Sequence, residues 1–524
     1  MENNSDNQES GQHSDKLYSY NEEQNKDNFK YDAMRRSIGD KNPKEPELDH
    51  QPSIIHIDQT PPYMWVLFLV FGIIQIIFIF LLGFYFDWDK DSNMPNKTDI
   101  NFLAKEEIKN KYRYFQDMTI MLFLGFGFLR SFLKHHSWSS IIITLISGVL
   151  SFEFALICLI TWGSIFQHEW VSGYYKLDFF FDALYVTGSY IISMGSYFGK
   201  LSFPQYFVMI FLQTIFSSMN YLLIRQSLKV MDIGGTITVH LFGAVFGCLF
   251  SIISYCNKNE IERINTSPHI GFDHNSNLFA LFGSLIIIPL WPSFNTALVE
   301  ANQKYRGIVN TYFSIGGSII GTFLMSPLLN NKKFKVEDLI YASFPGAIVI
   351  GGCCHIIKEY YLCIFFGIIS SVFTILAKFL FYEKIKINNR GYHDTSKVLF
   401  YHGIPAILGG IISSIFAGNL KNLKNNIIDF HYKKLIGNIN IALKLDENIN
   451  IENKAAITFA GIFITIIIAG LSGLCVGYCI KICNCNITYR YFNDSEFFDV
   501  NGNEPFPWID ERVEIKFDFD SKPK

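Results

Sequence analysis

The chain has 524 residues, 49% of them hydrophobic and only 17% charged, where a soluble domain has about a quarter. With 51 Phe and 27 Tyr, that composition excludes an ordinary water-soluble domain and suits an outer surface facing lipid. A net charge of −3 supplies no overall field for a polyanion, so no nucleic-acid partner is expected.

Residues 1–60 are rich in Asn, Asp, Glu, Lys and Ser and cluster few apolar side chains. They cannot bury enough surface to offset chain entropy and are expected to form a disordered cytoplasmic tail. No short apolar stretch follows a basic start, so no cleavable signal peptide is expected, and the first apolar run would serve as signal and anchor together. That run covers 63–86, and eleven more begin near 115, 140, 179, 204, 233, 277, 305, 337, 360, 399 and 456. A membrane-spanning helix needs about 20 apolar residues. The expected fold is therefore an all-α polytopic membrane protein, with about 12 transmembrane helices over 61–482 and a cytoplasmic tail over 483–524. Pro345-Gly346 and Gly409-Gly410 interrupt two of the runs, which neighbouring helices can accommodate by taking up freed backbone groups.

An even number of spans places both termini on one side, taken as the cytoplasm. Lys and Arg occur in loops on both faces, and the long 421–454 loop is discounted by the positive-inside rule. Asn96, in the first loop, heads a glycosylation triplet and would suit an outside position; further triplets begin at Asn265, Asn486 and Asn493.

The ten Cys fall almost entirely within apolar runs or just beyond the last one, which is not a disulfide framework. Cys475, Cys479, Cys483 and Cys485 close the last run, as apolar packing or as palmitoylation sites. No pair has zinc spacing, and no nucleotide loop, nucleophile elbow or HExxH motif is present. No metal, cofactor or enzymatic activity is expected. Asp117 reads as a helix cap, and Asn331–Lys335 as a solvated loop near lipid headgroups. The pairs Gly234-Gly235, Gly316-Gly317 and Gly409-Gly410 suit close helix packing.

Ionisable residues inside membrane helices are expensive and point to function. Most of the 13 His lie in tails or loops, but His240 and His402 lie deep in apolar runs, each eight residues after an aspartate, Asp232 and Asp394. An aspartate caps a helix where it enters the bilayer. Eight residues further is about 12 Å deeper, near the middle of a core about 30 Å thick. Five spans separate the two histidines, so their helices run in opposite directions and both imidazoles reach the midplane. That is the layout of an inverted repeat with a site at the repeat interface. The imidazoles can satisfy one another, one ring nitrogen donating and the other accepting. Desolvation disfavours the charged form, so the pair favours a small neutral molecule that both donates and accepts hydrogen bonds.

These residues carry a resemblance. DIGGTITVHLFGAVFG (232–247) and DTSKVLFYHGIPAILGG (394–410) resemble the two histidine segments of the Rh glycoprotein branch of the ammonium transporter/Rh superfamily. Residues 112–133, WPSFNTA (291–297), NTYFS (310–314) and YFNDSEFFDV (491–500) are similar to further segments of that branch. The resemblance implies a five-plus-five inverted repeat with one extra helix at each end, assembled as a homotrimer in the plasma membrane. Each protomer would hold its own narrow pore, recruiting ammonium and passing ammonia, with methylamine as a further substrate. It also implies that His240 and His402 line the pore, that Phe294 is one of two stacked aromatic gates, and that Asp232 and Asp394 stand behind the vestibules. Several positions depart from the family pattern. Tyr185 stands in place of the other gate Phe. Asn277 and Tyr221 stand where vestibule carboxylates are usual, and Ser396-Lys397 replaces Cys-Gly, which puts a charge that would repel ammonium near the inner vestibule. A non-transporting scaffold and an electrogenic ammonium transporter are the alternatives.

Overall fold

In the computed structural model the described residues are 63–88, 111–133, 137–168, 173–175, 177–254, 274–384, 394–419 and 453–482. The expectations for the two tails, Asn96, Asn265, Asn486, Asn493, Cys483, Cys485 and the 491–500 segment lie outside them. Apart from a parallel pairing of Phe86–Trp88 with Gly173–Tyr175, the regular structure among the described residues is helical. Eight of these helices are long and apolar enough to cross a bilayer: Ser137–Gln167, Phe203–Ser227, Thr236–Ser254, His274–Thr296, Ala301–Leu329, Tyr360–Lys384, Leu399–Gly418 and Lys454–Ile482. The helix Tyr63–Tyr85 adds a shorter apolar stretch.

The helices are turned inside out relative to those of a soluble protein. In Ala301–Leu329, Asn310, Thr311, Ser314, Ser318, Thr322 and Ser326 are buried, whereas Tyr312, Phe313, Ile320, Phe323, Leu324 and Leu328 are exposed. Large apolar side chains therefore face lipid, and small hydroxylated ones face neighbouring helices.

That polar stripe has a specific partner. The run beginning near 337 is not one helix but two short ones, Val336–Ile340 and Phe344–Val349, with Pro345 in the first turn of the second. The break frees carbonyls that cannot be left unbonded in a dry interior. Asn310 donates to the carbonyls of Cys354 (2.8 Å) and Ile357 (2.7 Å), Ser314 to Gly346 (2.7 Å) and Ser318 to Ala342 (2.6 Å). Asn295 donates to Ala347 (2.9 Å) and Thr236 to Ile348 (2.8 Å). Side chains from three helices thus replace the missing helical ladder.

Gly409-Gly410, by contrast, does not interrupt its helix, which runs unbroken over Ile404–Asn419. Its role is close approach: a Cβ on Gly409 would lie 2.5 Å from the Val349 carbonyl. The Gly316-Gly317 pair divides between two roles. A Cβ on Gly317 would lie 2.2 Å from the Ile364 carbonyl, whereas one on Gly316 meets nothing within 4 Å. Gly317→Ala is therefore expected to lower stability by about 1–3 kcal/mol, the usual cost of overpacking. Gly316→Ala should leave stability unchanged or raise it by up to about 1 kcal/mol. Thermal unfolding of the detergent-purified protein, followed by tryptophan fluorescence, measures both.

Candidate functional site

The two histidine helices begin in the same way. Asp232 accepts the backbone N–H groups of Ile237 (2.9 Å) and Thr238 (2.8 Å) and the Thr238 hydroxyl (2.7 Å), and Asp394 accepts the N–H of Leu399 (3.0 Å). Ile237 and Leu399 each stand five residues after their aspartate and three before their histidine in the chain. Between the aspartate and the helix the backbone turns left-handed, at Gly235 (φ 73°) and Lys397 (φ 51°). Each histidine then lies in a π-helical turn, Thr236–Leu241 or Leu399–Gly403. Matching bonds close the two turns, Phe242 N–H to the Ile237 carbonyl and Ile404 N–H to the Leu399 carbonyl. Turns of this kind are frequent at functional sites. The helices are antiparallel: a Cβ on Gly409 would meet Thr236 at 2.8 Å, and one on Gly403 would meet Ala244 at 3.3 Å.

Where they cross, the Nδ1 atoms of His240 and His402 are 3.2 Å apart, with ring centroids at 5.4 Å and planes at 17°. One Nδ1 donates and the other accepts, so a neutral pair holds unlike tautomers. Trp291 stacks on His240 at 5.8 Å, and Phe344 lies edge-on to His402 at 5.3 Å. Phe126 stands 6.3 Å from His402, with the Arg130 guanidinium 5.7 Å beyond it. On the other side Phe294 lies 6.1 Å from His240 and meets Tyr185 edge-on at 4.9 Å. The Tyr185 hydroxyl donates to the Phe294 carbonyl at 2.5 Å, so the backbone takes it up and it does not project into an entrance. Among the described residues no group of three or more His, Cys, Asp or Glu is placed to hold a metal ion.

The sequence profile of the Ammonium Transporter Family matches residues 97–483. This chain belongs to the ammonium transporter family. Ammonium transporter Rh type A of Bos taurus is 32% identical over 355 residues, covering 65% of this chain and 79% of that protein. Rh type B of Danio rerio is 27% identical over 451 residues, covering 83% and 93%. The solved structure of Nitrosomonas europaea Rh50 shares the fold, with a TM-score of 0.58 at 23% identity over 76% of this chain and 94% of that one. The chain is an Rh-type ammonium transporter, an integral membrane protein and not an enzyme.

In this transporter the remaining sequence-predicted positions fall into two groups. Tyr221 belongs with the rings beyond His240. It stacks on Tyr185 at 6.2 Å, donates to Asp182 at 2.5 Å and accepts from Arg225 at 2.7 Å. A carboxylate therefore does stand beside position 221, contributed by a different helix. Sequence reasoning missed Asp182 and Arg225, although both are ionisable residues at the edge of apolar runs. Asn277 and Lys397 lie away from these rings. Asn277 is in the first turn of His274–Thr296, about 25 Å along the axis from Phe294. The lone charge expected at Lys397 is half of an ion pair with the partly buried Glu337. Beside that pair Lys378 meets Asp338 and Lys335 meets Glu383, and Tyr401, the neighbour of His402, donates to Asp338 at 3.0 Å.

Asp232→Ala leaves two buried N–H groups and a hydroxyl without their acceptor. It is expected to lower stability by about 3 kcal/mol, with Asp232→Asn losing roughly half as much. Thermal unfolding in detergent checks both. Lys200, in the turn after Leu177–Tyr197, gives a pH signature. Burial lowers its ammonium from 10.5 to about 7, against the pull of Asp394. Between those values the folded chain binds fewer protons than the unfolded one, so stability rises with pH across that window. Lys200→Met is expected to remove that part of the slope, read by comparing unfolding near pH 7 and near pH 9.

Proposed function

We propose that ammonia crosses the membrane past His240 and His402. The observation that carries this reading is the facing imidazole pair inside a wall of Trp291, Phe294, Phe344 and Phe126. Such a lining offers hydrogen bonds in both directions but little to replace a cation's hydration shell. His240 Nε2 and Trp291 Nε1 have no hydrogen-bonding partner among the described residues, which leaves polar atoms on adjacent rings for a passing molecule. Ammonia both donates and accepts and is small and neutral. Ammonium would give up a proton before the constriction, and methylamine has the same chemistry. In this reading transport is passive. Phe294 and Tyr185 form the two-ring gate, while Asp232 and Asp394 fix the turns that aim the imidazoles. Tyr221, Asn277 and Lys397 are the altered vestibule positions, and they tune access.

The same reading makes 61–482 one channel domain of twelve spans, a five-plus-five inverted repeat with an extra helix at each end. The matched aspartate–histidine turns on antiparallel helices support it. Homotrimers in the plasma membrane, cytoplasmic tails over 1–60 and 483–524, and an Asn96 glycan on the outside complete it. A scaffold with no transport role would have no use for a buried imidazole pair. An electrogenic transporter would use the Nδ1 contact to relay a proton, and an ammonium-dependent current would reveal it.

The test is stopped-flow ammonia uptake by proteoliposomes, followed by internal pH. Wild type is expected to alkalinise faster than empty liposomes, and His240→Ala/His402→Ala to fall back close to the empty-liposome rate. A folded wild type no faster than empty liposomes would overturn the pore.

A further inference from the structure

Ring faces at the mouth of a cation-recruiting pore attract ammonium through their quadrupoles. In this chain the Arg225 guanidinium already stands at those rings, with Cζ 5.4 Å from the centre of Tyr185 and 5.0 Å from that of Tyr221. It sits in a π-helical turn, Leu223–Ser227, and is held by the hydrogen bond from Nη1 to the Tyr221 hydroxyl, which in turn donates to Asp182. All of these side chains are buried: Arg225 is 4% exposed, Asp182 6%, Tyr221 2% and Tyr185 0%. An arginine does not lose its proton in a protein.

We propose that Arg225 is a specificity-determining residue, a resident cation on the rings of Tyr185 and Tyr221 that denies this mouth to ammonium and leaves neutral ammonia as the species admitted. The inference rests on the pore reading above and deepens it. A second cation on these rings would sit beside a fixed positive charge in a setting of low effective dielectric, where repulsion is strong. Asp182 offsets part of that repulsion through Tyr221, which takes a hydrogen bond from the guanidinium and gives one to the carboxylate, but the carboxylate is engaged there and is not open to a second cation. The arrangement works by occupation, the ring faces and the carboxylate both being engaged.

The test compares ammonia influx into proteoliposomes at equal ammonia concentration and roughly two pH units apart, so that ammonium differs about 100-fold. For each protein the ratio of the low-pH to the high-pH rate is divided by the wild-type ratio, which cancels pH effects shared by all variants. Arg225→Leu is expected to raise that quotient about threefold or more by opening the ring faces to ammonium. Because removing one partner leaves Asp182 buried beside a lost cation, Arg225→Leu/Asp182→Asn removes both charges and is expected to raise it as well. Arg225→Lys, which keeps the cation, should stay at the wild-type ratio. A folded double variant with a wild-type quotient, in a protein whose flux still depends on the histidines, overturns this inference alone. Wild type no faster than empty liposomes overturns the pore reading, and this inference with it.

Discussion

Two imidazoles placed 3.2 Å apart in a hydrocarbon-like interior make demands that most of the structure exists to meet. A polar ring buried without a partner is costly, and the histidines offset this by bonding each other. They can do so only if both reach the same depth from opposite directions. The chain achieves this with two copies of one local device, an aspartate whose carboxylate takes the N–H of the residue three before the histidine. The following turn is wound as a π-helix, which rotates the imidazole away from where an α-helix would point it. The copies differ where the backbone is left-handed. Gly235 adopts that conformation freely, whereas Lys397 does so against its own side chain and is held by Glu337.

The broken segment at 336–349 follows from the same requirement. A continuous helix there would present a smooth cylinder to His402. The break instead brings Phe344 edge-on to the imidazole at 5.3 Å and to Trp291 at 4.7 Å. Its freed carbonyls are then received by Asn295, Asn310, Ser314, Ser318 and Thr236, the last of these lying in the π turn that carries His240. The histidine turn and the broken segment therefore hold each other, and the polar stripe of the Ala301–Leu329 helix acquires its reason. Hydroxyls facing inward add only about 0.6 kcal/mol per interhelical bond to association in lipid. They are there because carbonyls need them.

Sequence made the histidines, their aspartates and the Pro345 break legible, because each is a local pattern: a fixed spacing, a capping residue, a residue without an N–H. The π-helical turns were not legible, since a periodicity of 3.6 carries no sign of one inserted residue. Gly409-Gly410 reads both as an interruption and as a packing pair and is the second, because a glycine pair means either until its neighbour is known. Partners across helices were invisible for the same reason. Lys397 read as a lone positive charge because Glu337 lies 60 residues away, and position 221 read as lacking a carboxylate because Asp182 lies 39 residues earlier. Long-range pairing has no spacing rule. The usable hint was only that an ionisable side chain at the edge of an apolar run must answer to something.

In the pore reading, those hidden partners stand toward the two ends of the imidazole line. Each end carries a cation and a carboxylate from different helices, Arg225 with Asp182 through Tyr221 beyond His240, and Lys397 with Glu337 beyond His402. Buried pairs of this kind contribute little net stability, because desolvation offsets the attraction, and apolar residues of the same shape would do as well or better. Stability therefore does not explain why the chain places these charged groups there. A path lined by neutral rings does not by itself choose between ammonium and ammonia at its threshold, since the rings attract the cation before the interior rejects it. In the reading proposed above, Arg225, already seated on the rings of Tyr185 and Tyr221, resolves that conflict by removing the attraction. The interior then has only a neutral molecule to pass.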